Sequence, residues 1–314
     1  MRLLVTGGAG FIGSTLVDRL LAEGHHVDVL DDLTTGSLAN LAEARSERTG
    51  RLTFHQVDLR EGHAVDLIAH RAPEVVFHLA GQPDVPASVA RPAHDARAAV
   101  VGTVNVLEGA RLGGTRKVVA AASAAIYGQV PPRDLPVKES QAAAPRSPHG
   151  VSSRAAVEYL RLYRRLHDVE FTALVLSNVY GPRQDPRRGA VVAALAAGLL
   201  AGGPCTIHGD GEQTRDFLYV DDCVDALVRA VDRGDGLVIN VGTGLETSVS
   251  DLHAAMAAAA GVDVPPGLAA ARPGDVARSA LDPGRAAIQL GWAPWTPLAE
   301  GTASVLDWLR DREG

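Results

Sequence analysis

Three glycines, Gly7, Gly10 and Gly13 in "VTGGAGFIG", are spaced G-x-x-G-x-x-G after an apolar run and open a segment of helical spacing. In that context bare backbone can turn tightly and come close to a pyrophosphate. The helix start then offers unpaired N–H groups and a positive dipole end. Asp31, in "VLDDLTTG", ends the next apolar run. A carboxylate there accepts hydrogen bonds from an adenine ribose. Asp31 and Asp32 together repel a 2′-phosphate, so the pattern predicts NAD rather than NADP. Asp58, in "VDL", is placed either to meet the adenine or to cap a strand end. A second stretch, "SPHGVSSR" from Ser147 to Arg154, carries an imidazole, His149. Histidine titrates at about pKa 6.5 and is a common general base. It is either that or a histidine tolerated at a helix start.

These residues need a scaffold. Apolar runs "RLLVTG", "HVDVLD", "RLTFHQVDL", "PEVVFHLAG" and "KVVAAAS" alternate with segments of helical spacing, "STLVDRLLAEG" and "HDARAAVVGTVNVLEGARLGG". Alternation of this kind predicts βαβ units, hence an α/β fold with a doubly wound parallel sheet of Rossmann type. The runs are apolar on both faces, as a sheet covered by helices requires. A further helix is predicted over 151–166, a strand at "FTALVLSNVYG" and an Ala-rich helix over 191–201. Beyond the strand, Pro and Gly become frequent and elements shorten. The division expected is a dinucleotide-binding domain over 1–176 and a smaller α/β substrate lobe over 177–314, with segments returning to the first.

Composition bounds the rest. Of 314 residues, 46% are apolar and 21% charged, with net charge −7. No apolar run is long enough to span a bilayer, and no basic cluster suggests nucleic acid. The N-terminus reads as a strand followed by glycines rather than a signal peptide. Cys205 and Cys223 have no metal-ligand spacing, and the eleven histidines include no HExxH, so no metal site is expected. Two buried thiols suit a reducing cytoplasm.

Nine stretches carry a resemblance: "VTGGAGFIGS", "DDLTTG", "FHLAGQ", "GTVNVLEGAR", "SAAIYG", "SNVYGPRQDP", "GDGEQTRDFLYVDDCVDA", "NVGTG" and "RPGDV". In that order they resemble an extended short-chain dehydrogenase/reductase of the nucleotide-sugar epimerase/dehydratase group, close to the UDP-glucose 4-epimerases. The resemblance adds Phe11, Ile12, Leu59, Leu79 and Ala80 to the cofactor-facing set. It implies that Asn178 and Arg215 hold a sugar nucleotide, that Arg272 reaches its diphosphate and that Asp275 contacts the nucleoside ribose. Planar arginines from separate elements suit a diphosphate. Ser88, in "PASV", either reaches the hexose or is a plain loop serine.

The group's chemistry is transient oxidation, with a tyrosine as base and a Lys four residues on that steadies the tyrosinate. Ser123 matches its hydroxyl-positioning Ser/Thr. Against the group's "SPYGxSK", His149 falls on the Tyr and Ser153 on the Lys. A slip of one residue, suggested by Glu158, instead puts Arg154 in the Lys slot. Neither register supplies a tyrosine there. Tyr127, four residues after Ser123, is either a second base or a packed aromatic. Ala99 stands where the group often has Asn. The resembling dehydratases carry Asp-Glu after the catalytic Thr or Ser; here Ala124 and Ala125 leave room for a hexose to turn over, which favours 4-epimerisation with an altered acid/base set. A non-catalytic protein that binds both ligands, and a member repurposed for other chemistry, are the alternatives. The resemblance also implies a homodimer built on helices near 95–112 and 151–166.

Overall fold

A computed structural model describes residues 1–46, 50–81, 84–188, 190–203, 205–272 and 274–313. Gln82 and Pro273, in the stretches "FHLAGQ" and "RPGDV", lie outside them. Seven strands form the central sheet: β1 (Arg2–Thr6), β2 (His26–Asp31), β3 (Leu52–Gln56), β4 (Val75–His78), β5 (Lys117–Ser123), β6 (Glu170–Leu176) and β7 (Leu237–Val241). All pairs are parallel, in the order β7-β6-β5-β4-β1-β2-β3. Leu3, Leu4 and Val5 of β1 and Val75, Val76 and Phe77 of β4 are fully buried. Both faces of the sheet are therefore covered, as the unbroken apolar runs imply. Each such side chain contributes about 1.5–3 kcal/mol. The expected doubly wound α/β fold is what the chain adopts.

Strand order reverses between β1 and β4, and ligands of open α/β sheets bind at that switch, beyond the strands' carboxyl ends. Gly7 stands there with φ +69°, and a Cβ on it would meet the Ala80 backbone at 2.9 Å. The sheet draws on the second half of the chain too. β7 extends it, and helix Val220–Arg229 packs on helix Phe11–Ala22. A separate core forms around Leu195, Leu252, Met256 and Val305. Cys205 and Cys223 are free and buried.

Two helices differ from expectation. The long helix predicted around 94–114 is broken into Pro92–Ala96, a π-helical turn Arg97–Val101, and Gly102–Leu112. Within that turn the Gly102 N–H reaches back to the Arg97 carbonyl, and the Thr103 hydroxyl donates to the Ala99 carbonyl at 2.5 Å. Threonine back-bonding of this kind bends helices. The other helix begins at Pro148, three residues earlier than predicted, and runs to His167. Ser147 caps it, its Oγ accepting from the Gly150 N–H at 3.2 Å, and Pro148 takes the first helical position.

Candidate active site

One cleft of about 1150 Å³ runs across the carboxyl end of the sheet. At its floor the helix Phe11–Ala22 begins at Gly10 with no side chain capping it. Its first N–H groups are left for a ligand. A Cβ on Gly13 would lie 2.1 Å from the Gly7 carbonyl, so only bare backbone builds this cradle. Gly7, Gly10, Phe11, Ile12, Gly13, Leu79 and Ala80 all line it.

Asp31 closes β2 beside the cradle. Its Oδ2 accepts from the Ala9 N–H at 3.0 Å and its Oδ1 from the Leu33 N–H at 2.8 Å. Burial pushes its carboxyl above the ordinary value, and the Leu33 and Ala9 amides oppose that. A carboxylate offers about four lone-pair directions, so two donors leave capacity for ribose hydroxyls. Asp58 lines the same end, but Arg60 grips it, Nε lying 2.8 and 2.9 Å from its oxygens. That guanidinium holds the Asp58 carboxyl below its usual range. Arg60 also lies 3.9 Å from Asp32, so its charge is absorbed by acids and does not invite a 2′-phosphate. Sequence reasoning missed Arg60; only the fold brings it between the two carboxylates. Uncapped helix, bare cradle and ribose carboxylate together fit a bound NAD.

Further along, Ser123, Ala124, Ala125, His149 and Ser153 line the wall. The helix start carrying His149 is seated by Gly150, on which a Cβ would lie 2.5 Å from the Ala125 carbonyl. Ser153 Oγ accepts from the Ser123 N–H at 3.0 Å. That contact turns Ser153 toward the wall that Ser123 lines. Ser153 faces the cleft, whereas Arg154, one residue and about 100° around the helix, donates to the Ala143 carbonyl at 2.9 Å on an exposed side. Of the two residues weighed for the Lys slot, Ser153 and not Arg154 lines the cleft.

Two further candidates, Tyr127 and Ser88, are not among the cleft-lining residues. The Tyr127 hydroxyl donates to Asn240 Oδ1 at 2.7 Å inside the core, and the residue is only 4% exposed. Burial drives its proton affinity up, and it is the packed aromatic rather than a base. Ser88 lies in helix Val85–Ala90, fully buried. Its hydroxyl donates to the Val85 carbonyl at 2.7 Å and accepts from the His149 N–H at 3.2 Å. It supports the helix start and does not face the cleft.

His149 itself keeps 16% side-chain exposure, with Nδ1 4.0 Å from Oδ1 of Asp95. Asp95 gave no signal in the sequence, because 54 positions separate it from its partner. Nearby His78 is fully enclosed, and burial pulls its imidazole down to about 4. The Thr103 hydroxyl, which donates to Ala99, accepts from His78 Nε2, leaving Nδ1 to accept the Thr6 hydroxyl at 2.8 Å.

Asn178, Arg215, Arg272 and Asp275 line the far end. Arg215 is nearly buried and pairs with Asp275. Its chain neighbour Asp216 is buried, and the Asp216 carboxylate accepts from the Thr243 N–H at 2.8 Å, the Thr243 hydroxyl at 2.7 Å, the Gly244 N–H at 3.1 Å and the Leu281 N–H at 3.0 Å. Burial pushes the Asp216 carboxyl up against those four donors.

A glycine cradle and a carboxylate ending the next strand, at the switch of a doubly wound sheet, define a Rossmann-type dinucleotide-binding protein. The chain matches the NAD dependent epimerase/dehydratase family over residues 3–242, and it belongs to that family. It is 47% identical to a UDP-glucose 4-epimerase of Mycolicibacterium smegmatis, covering 99% of both chains. A UDP-glucose 4-epimerase of Thermotoga maritima, solved with UDP-glucose, superposes with a TM-score of 0.95 at 36% identity over 100% of both chains. One from Thermus thermophilus, solved with NAD, gives 0.92 at 38% identity over 99% of both.

Proposed function

We propose that this chain is an NAD-dependent nucleotide-sugar 4-epimerase, acting on a UDP-hexose or UDP-uronate with His149 as its base. The observation that carries the reading is that Ser123 and His149 line the same cleft as the glycine cradle and the arginines. The likeness to UDP-glucose 4-epimerases over the whole chain supports the substrate class. Bound NAD supplies the acceptor that takes a hydride from the sugar C4 and returns it. The chain's residues do the rest. Ser123 positions the 4-hydroxyl, and His149 takes its proton and later gives it back. Arg215 and Arg272 hold the diphosphate, Asn178 the sugar nucleotide and Asp275 the nucleoside ribose. Ala124 and Ala125 leave space for the keto sugar to turn and offer no carboxyl pair for eliminating water.

Residues 1–176 serve the dinucleotide and 177–314 mainly the sugar nucleotide. Exposed Val101, Leu112, Val151 and Leu166 support pairing of two copies through those helices. Sedimentation as a monomer at micromolar concentration contradicts the pairing. The two buried thiols support a cytoplasmic setting.

A second reading is a binding protein that retains both ligands without turnover. It is favoured by Ser153, a neutral residue where the resembling enzymes carry Lys. Substrate deuterated at C4 separates the two. An epimerase yields the inverted sugar with deuterium retained. Tight binding of both ligands with no inversion over days leaves the second reading, and washout of deuterium to solvent contradicts the returned hydride.

A further inference from the structure

The buried aspartates of this fold are supplied with partners, with one exception. Asp28 meets Arg71 and His55, Asp31 two amides, Asp216 four donors, Asp222 the Trp295 and Thr296 amides, and Asp225 Arg229. Asp95 is 1% exposed, and among the described residues neither carboxylate oxygen has a hydrogen-bond partner. An unpaired buried carboxylate is costly and calls for a donor. The one ion-pair contact it has among the described residues is the His149 ring, Nδ1 to Oδ1 at 4.0 Å. That is about 1 Å beyond a hydrogen bond. Hydrogen bonds of catalytic groups are often long before substrate binds.

We propose that Asp95 is the positioning residue of His149: its carboxylate accepts the Nδ1–H and leaves Nε2 as the lone-pair nitrogen that receives the substrate's hydroxyl proton. The proposal rests on His149 being the base. Charge balance supports it. A tyrosine base is an anion when it accepts, so the resembling enzymes steady it with a Lys cation. An imidazole becomes a cation when it accepts, so it wants an anion beside it and none of the Lys charge. Ser153 has removed the cation and Asp95 provides the anion. In the step, the hydroxyl proton moves to Nε2 while C4 gives its hydride to the bound dinucleotide and the C4–O bond becomes a carbonyl. The return reverses all three on the other face.

Other charged groups on the packed elements are Asp84 and Arg91 at the ends of helix Val85–Ala90, His94 and Arg97 flanking Asp95, and Arg146 and Arg154 flanking the helix start. His94 meets Arg60, and Arg154 is turned to Ala143.

The test compares Asp95→Asn with His149→Ala and follows the wild-type ring directly by imidazole ¹⁵N NMR. In wild-type protein at neutral pH, Nδ1 of His149 carries the proton. Asp95→Asn moves it to Nε2, lowers kcat by about 10²–10⁴-fold and leaves KM and NAD affinity within about twofold. Its acid limb in the kcat/KM profile shifts to lower pH, because the charge that favours imidazolium is gone. A wild-type proton on Nε2, or a variant with unchanged rate and profile, overturns the proposal. Where the variant does not fold, the wild-type tautomer alone decides. His149→Ala at wild-type rate would instead sink the base reading, whatever the tautomer.

Discussion

At the residue scale, function depends on which hydroxyl and which ring face the cleft. Tyr127 is held by Asn240, whose amide in turn donates to the Val137 carbonyl at 2.8 Å. Tyr127→Phe therefore leaves turnover unchanged and strands a buried acceptor, lowering unfolding free energy by about 1–3 kcal/mol. Denaturant titration beside an assay of the same protein checks both halves; a rate collapse with normal stability would return Tyr127 to the chemistry. The residues lining the glycine-cradle end of the cleft were legible one by one, because a G-x-x-G-x-x-G opening a helix and an acid ending the next strand are local patterns. The wall that carries Ser123 and His149 was legible only in part. His149 and Ser123 follow from matching stretches. The facing of Ser153 against Arg154 depends on where the helix starts, which Ser147 and Pro148 fix.

At the element scale, the helix Pro148–His167 carries His149 into place, and its seat is narrow. Gly150 lets it approach the Ala125 carbonyl. Gly150→Ala forces the helix start outward. We expect about 1–3 kcal/mol of destabilisation and a kcat loss of up to about 10²-fold, with NAD binding retained, since the cradle lies on another element. Calorimetry with NAD beside steady-state kinetics tests this, and unaltered kcat would show that the seat does not aim the ring. Contacts of other elements explain what sequence reading could not resolve. Helical periodicity predicted one helix around 94–114, but the Thr103 back-bond and its link to His78 impose a π-helical turn, a contact made across 25 positions. Ser88 looked like loop because "PASV" is short and begins with Pro; Asp84, accepting from the Ala87 N–H at 2.9 Å, makes it a helix.

At the scale of the whole molecule, His78 links the sheet to the helix behind the site. Its ordinary value is 6.5 and its folded value about 4. Between them the unfolded chain binds the extra proton, so stability rises with pH across that window and is lost as pH falls from 6.5 toward 4. The gap amounts to about 3 kcal/mol. Asp58 and Glu108, both held low, lose their contribution only at more acidic pH, below the ordinary carboxylate range. Urea unfolding at pH 7 and 4.5 should show the loss, and His78→Gln should flatten it; a flat wild-type profile would contradict the buried neutral ring. The overall architecture was the most legible level, since strand and helix periods alternate plainly up to Leu176. The return of β7 to the sheet edge was foreseen only as returning segments, because its short run carries no register signal.

If an imidazole has taken over from a phenol in a cleft that holds dinucleotide and sugar nucleotide together, removing that imidazole must slow turnover and leave binding intact. The most direct measurement is the C4 inversion rate of UDP-glucose by wild type and His149→Ala, with calorimetric binding of both ligands on the same samples. The account predicts inversion by the wild type, a rate lower by about 10²–10⁴-fold in the variant, and equal binding in both. Equal inversion rates in the two proteins, or none in either with both ligands bound, would contradict it.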